Sequence, residues 1–129
     1  MSDCTDQDTA PEALEAQIAS EADAALEAVF PGCRIQAITG RQWWARKIRV
    51  HIDLHYASDA LSSPWFACIG WRVQTPGLSS EHVWAPTAEA ALRGALADLR
   101  NVIRARRAKA VARVAVLDGA MSDLGGTDG

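Results

Sequence analysis

The chain has 129 residues, 49% of them apolar, and a formal net charge of −3. That length fits one folded domain, and no apolar run approaches the roughly 18 residues of a membrane-crossing helix. The first residues carry Asp3, Asp6 and Asp8 and no base, which excludes the basic n-region of a secretory signal.

Three cysteines, Cys4, Cys33 and Cys68, stand far apart with no C-x-x-C pair. An odd, scattered set argues against a disulfide framework and for a reducing, cytoplasmic setting. Alanine takes 25 positions and tryptophan five, so the core must rely on few large side chains. Charge is segregated. Residues 1–30 hold eight acids and no Lys or Arg; residues 31–85 hold six bases and three acids; residues 86–113 hold seven bases and two acids; residues 114–129 hold three acids. Such blocks either compensate each other within the domain, the acidic start lying near the basic C-terminal helix, or offer a basic face to an anionic partner. Internal compensation is the expectation carried forward.

Residues 1–10 are small, polar and acidic and read as disordered. A helix is predicted over residues 11–30, with Pro11 at its first position and Thr9 as a nearby cap. Leu14, Ile18, Ala22, Leu26 and Phe30 recur every four residues and form its apolar stripe. Pro31-Gly32 stops it. Residues 33–38 predict a short strand, and Thr39-Gly40-Arg41-Gln42 a turn. Residues 43–56 predict one long strand. Ile48, Val50, Ile52, Leu54 and Tyr56 alternate with Lys47, Arg49, His51, Asp53 and His55, which implies one buried and one wet face. By that parity Trp44 joins the core and Trp43 the wet face.

Residues 58–64 read as a loop and residues 65–74 as a strand. Trp65, Ala67, Ile69, Trp71 and Val73 share its core face, with Phe66, Cys68, Gly70, Arg72 and Gln74 opposite. Thr75-Pro76-Gly77 is a turn, and residues 81–85 a short fourth strand. Pro86 and Thr87 set the start of a second helix, Thr87 as N-cap and Glu89 complementing the dipole. Leu92, Leu96, Leu99 and Ile103 mark its apolar stripe, and it runs to about residue 110, with Val111, Val114 and Val116 forming either a further turn or a strand. Residues 117–129 read as a flexible tail. The fold class is therefore α+β, a single two-layer domain over residues 11–116. It consists of a helix, an antiparallel meander of three or four strands and a helix, with both helices on one sheet face.

No motif assigns a reaction. His51, Asp53 and His55 lie on one strand face at successive separations of about 6.5–7 Å, so neighbours can share a metal. Closed zinc sites want four placed ligands, and a hydrogen bond from Asp53 to a flanking imidazole is the simpler reading. Phosphate loops of the G-x-x-x-x-G-K-[ST] and G-x-G-x-x-G kinds are absent, as is G-x-S-x-G. The expectation is a non-enzyme with no metal and no cofactor. Arg93, Arg100, Arg104 and Arg107 fall within roughly 60° of one another on a helical projection, a basic stripe. Trp43, Arg49, His51, His55, Phe66 and Arg72 form a candidate patch on the open strand face, since Trp and Arg are the usual anchors of protein interfaces.

The segment Val83-Trp84-Ala85-Pro86-Thr87-Ala88-Glu89-Ala90-Ala91-Leu92 resembles the strand–cap–helix step of small HicB-type antitoxin domains. The element order also resembles double-stranded-RNA-binding domains. Those open their second helix with a Lys pair that meets phosphate, where this chain reads Thr87-Ala88-Glu89-Ala90, so that resemblance does not imply duplex binding in the family's manner. In size and character the chain resembles bacterial and phage accessory proteins such as anti-CRISPR and toxin-immunity proteins. That resemblance implies a protein-binding inhibitor or regulator working through the open sheet face or the basic helix. The alternative is a nucleic-acid-binding regulator using the same helix. No membrane partner is expected, and the exposed sheet edges and Leu-rich helix permit a homodimer.

Overall fold

The computed structural model describes the backbone of residues 2–72 and 77–125, and side chains from residue 12 onward within them. Helix α1 spans Ser2–Val29. Strands β1 (Arg34–Thr39), β2 (Gln42–Lys47), β3 (Val50–Tyr56), β4 (Trp65–Trp71), β5 (Leu78–Ser79) and β6 (Val83–Ala85) follow. Helix α2, Ala88–Asp123, ends the order. Both helices outrun their expected limits. Pro11 lies inside α1 rather than at its start, and α2 continues through residues assigned to a tail. Val73, Gln74, the Thr75-Pro76 turn and residues 126–129 lie outside the described residues, as does the side chain of Thr9.

The sheet is antiparallel in the order β1-β2-β3-β4-β5, with β6 also on β4. Its strand count exceeds the expected three or four for two local reasons. The predicted strand over residues 43–56 is a hairpin. Lys47 pairs with Val50, leaving Ile48 and Arg49 as a two-residue loop with Ile48 at φ +56°. The edge strand beside β4 is broken in two. Ser80 turns inward, its backbone N–H donating to Ile69 O (2.8 Å) while its Oγ accepts from Ile69 N (2.9 Å). β5 lies on one side of this break and β6 on the other.

The helices cover one sheet face, as the sequence implies. Trp43, Ala45, Ile52, Leu54, Trp65, Ala67 and Ile69 form one core with Ile18, Ala22, Ala25, Leu26 and Phe30 of α1 and Ala88, Ala91, Leu92, Ala95 and Leu99 of α2. The many alanines let the helices approach closely, and two tryptophans supply the bulk. Trp43 and Trp65 sit 5.9 Å apart with rings tilted by 39°, and Tyr56 meets Trp65 edge-on at 5.0 Å, geometries that the ring quadrupoles favour.

Polar contacts fix the ends. Thr87 caps α2 by accepting from Ala90 N–H at 3.1 Å, as expected. Glu21 of α1 adds a second cap, its carboxylate accepting the Ala88 N–H at 2.9 Å. Arg41, in the β1–β2 turn behind Gly40 (φ +60°), ion-pairs with Glu15 and Asp59 and lies over the Tyr56 ring. These bonds raise its pKa, first through Glu15. The Cys33 thiol, donating toward Leu26 O, is pushed up mainly by burial and next by Glu27.

Among the described residues no ion pair joins an acid of α1 to a base of α2. Glu15 and Glu21 place the acidic part of α1 at the end of the sheet where α2 begins. From there α2 runs past Val83 and Glu81, whose N–H is held by Asp98, and leaves the sheet at the opposite end.

Candidate functional site

Strand alternation puts one set of side chains on the sheet face away from the helices. The register aligns Arg34 with Arg46, Ala37 with Trp44, Trp44 with Asp53, Arg46 with His51, His55 with Phe66 and Phe66 with Trp84. Across β3, β4 and β6 this yields an aromatic ladder. His55 stacks on Phe66 with centroids 4.3 Å apart and planes 13° apart, and Phe66 meets Trp84 at 4.4 Å. His82 approaches Phe66 from the broken edge at 5.5 Å. Trp84 is 50% exposed.

The His55 ring is held from behind. Its Nε2 lies 2.8 Å from Asp53 Oδ1 and 2.7 Å from Gln42 Nε2, and Gln42 Nε2 donates to the same Asp53 oxygen at 3.0 Å. With a proton on Nε2 the ring donates to Asp53; with the proton on Nδ1 it accepts from Gln42. Either way the imidazole is locked for stacking and has little freedom left to lose on contact with a partner. Asp53 thus does what the simpler sequence reading assigns to it. Among the described residues no group of three His, Cys, Asp or Glu is placed to hold a metal.

Beside the ladder lies a shallow depression of about 360 Å³ lined by Trp44, His51, Asp53, Cys68 and Arg72. Cys68 Sγ is within 3.3 Å of Ser80 O and 3.4 Å of Ser79 Oγ. A second depression, about 420 Å³, lies at the Ile48 end among Arg34, Arg46 and Lys47. Arg34 and Arg46 face each other across the strands, and among the described residues neither has a carboxylate within ion-pair distance. Directly opposed like charges destabilise a sheet, so this pair works against the fold unless an anion meets it. Arg46 Nε spends one donor on Ile48 O at 2.8 Å.

Of the candidate patch, His51, His55, Phe66 and Arg72 lie on or at the rim of this face. Arg49 is exposed in the β2–β3 turn. Trp43 does not belong. It is 2% exposed and packed on Trp65, and Trp44 takes its place. The hairpin explains the exchange: two loop residues between Lys47 and Val50 reset the alternation, so odd positions of β2 share the core with even positions of β3. Trp84, Arg34 and Arg46 complete the face. The strand–helix connection signals Trp84, since it stands opposite in parity to Val83 and Ala85.

The basic stripe divides. Arg93 is engaged by Glu89 at i−4 with 2.8 Å between charges. Arg104 takes a bond from its guanidinium to Asn101 Oδ1 at 3.0 Å. Arg100, Arg104 and Arg107 are exposed on α2. No helix among the described residues is long and apolar enough to cross a membrane. The chain matches no known protein family, no curated protein and no solved structure.

Proposed function

We propose that this chain is a non-enzymatic inhibitor or regulator that binds an acidic surface of another protein through the outer face of its sheet. The aromatic ladder of His55, Phe66 and Trp84 carries the reading. His55 stacked on Phe66, with Trp84 tilted against Phe66, lines a face that no described element covers, with the imidazole fixed in advance. Aromatic side chains beside arginine are the composition of interface hot spots. The opposed Arg34 and Arg46, with Arg49 and Arg72 nearby, set the sign of the partner, because an incoming carboxylate relieves their repulsion and is steered by it.

The test is capture from a lysate of the source cell, with and without nuclease, by wild type, Trp84→Ala and Arg46→Glu. Both substitutions lie on solvent-facing positions and leave the core intact. A discrete protein held by wild type through nuclease treatment, and lost by both variants, is the expected result. Capture that ignores both substitutions removes the sheet face from the mechanism. The exposed bases of α2 favour a second reading, a nucleic-acid-binding regulator. It requires affinity that falls steeply with salt, and capture that vanishes with nuclease selects it.

A further inference from the structure

From residue 103 onward every described residue of α2 is exposed. At about 1.5 Å per residue, roughly 30 Å of helix stands clear of the domain. A helix segment without tertiary contact is marginal in water, and this one displays Val111, Val114, Val116, Leu117, Met121 and Leu124 to solvent, Leu117 at 57%. The exposed apolar residues are ordered. Ala110, Val114, Leu117, Met121 and Leu124 follow the alternating three-and-four spacing of a coiled-coil seam on the side of the helix that Leu92 and Leu99 bury against the domain, with Ile103 one heptad before Ala110 and Arg107 at the position between them. Among the described residues nothing is packed on this face of the helix.

Charge along the segment decides what fits. Residues 104–113 hold five bases and no acid, and residues 114–125 hold two acids and no base. A parallel copy sets bases against bases. An antiparallel copy centred between Arg113 and Val114 does the reverse. It brings Arg104 level with Asp123 of the second copy and Lys109 level with Asp118. The same register faces Ile103 with Leu124 and Ala110 with Leu117. The register also sets Val114 level with Arg113 and Met121 level with Arg106, whose methylene stems can cover them, so one two-fold axis pairs the charges and two apolar layers together, as a self-complementary interface must. We propose that the free half of α2 is a dimerisation helix and that its occupant is the same helix of a second copy, running antiparallel. This inference is independent of the sheet-face reading, and its readout needs no other partner.

The experiment is sedimentation velocity of the nuclease-treated full chain over a concentration series. It compares wild type with Leu117→Glu, Lys109→Glu, Asp118→Lys and the double variant Lys109→Glu/Asp118→Lys. All these positions are exposed, and fluorescence of the buried tryptophans verifies the fold. Wild type is expected to be a dimer, and Leu117→Glu to weaken association by at least about tenfold. Each single charge change weakens it several-fold, and the double change restores it, because each new glutamate faces a new lysine across the two-fold. A nuclease-treated wild type that stays monomeric throughout overturns the proposal, as does a dimer that ignores Leu117→Glu. Failure of the double variant to recover overturns the antiparallel register.

Discussion

Ile48 is a β-branched residue in the left-handed region, at φ +56°, and 77% exposed. Non-glycine residues held there cost about 1–3 kcal/mol, and β-branching makes the fit worse. The side chain recovers little in return. Full burial of Ile is worth about 1.5–3 kcal/mol, and with less than a quarter of the residue covered the loss on truncation is under about 0.7 kcal/mol. Glycine relieves the strain but frees the unfolded chain, which costs about 0.5–1 kcal/mol. Ile48→Gly should therefore fall between about 0.7 kcal/mol less and about 2.5 kcal/mol more stable. Ile48→Asn, which tolerates this conformation without glycine's entropy, should gain about 1 kcal/mol. In urea unfolding followed by tryptophan fluorescence the Asn midpoint rises at unchanged slope, and its melting shifts upward by about 3–5 °C for each kcal/mol. Ile48→Val serves as the control and stays at the wild-type value. Loss of stability in both the Gly and Asn variants refutes the strained two-residue turn and with it the hairpin parity that sets the binding face.

Two further changes examine the packing. Trp43→Ala should cost about 3–5 kcal/mol as a buried aromatic truncation, whereas Trp44→Ala, on the open face, should cost far less; equal losses in denaturant unfolding would contradict the assignment of the two rings. A methyl group added at Gly94 of α2 would meet Val83 Cγ1 at 2.6 Å, so Gly94→Ala sets a helix-propensity gain of about 1 kcal/mol against an overpacking cost of about 1–3 kcal/mol. In a Val83→Ala background that cost disappears and the same change should stabilise, giving a coupling energy in a double-mutant cycle that additive behaviour would disprove.

The elements that the sequence reveals are those whose periodicity runs unbroken. Ile18, Ala22, Leu26 and Phe30 mark the buried side of α1, Leu92 and Leu99 that of α2, and Trp65, Ala67 and Ile69 the inner face of β4, all where the spacing puts them. What escapes is punctuation without the usual residues. Ile48-Arg49 turns the chain with neither Gly, Asn nor Pro, inside a run of β-branched residues that reads as strand. The break at Ser80 depends on one hydroxyl bonding to Ile69, a long-range contact. The first error moved Trp43 to the wrong face and hid Trp44, while His51, His55 and Phe66, beyond the turn, kept their places. Charge block counts likewise carry no direction. Among the described residues no acid of α1 ion-pairs with a base of α2.

Both outer borders of the sheet are interrupted. Along β1 the pairing with β2 shifts between Ile35 and Ala37, leaving Gln36 as an extra residue, and on the other side Ser80 parts β5 from β6. A bulge twists a border strand and spoils the even ladder that another chain would need to add on. This matters most at β1, where Ile35 and Ile38 are exposed and an even edge would be a template for fibrous aggregation. The irregular residues therefore leave the broad face open while making its borders poor templates for an added strand.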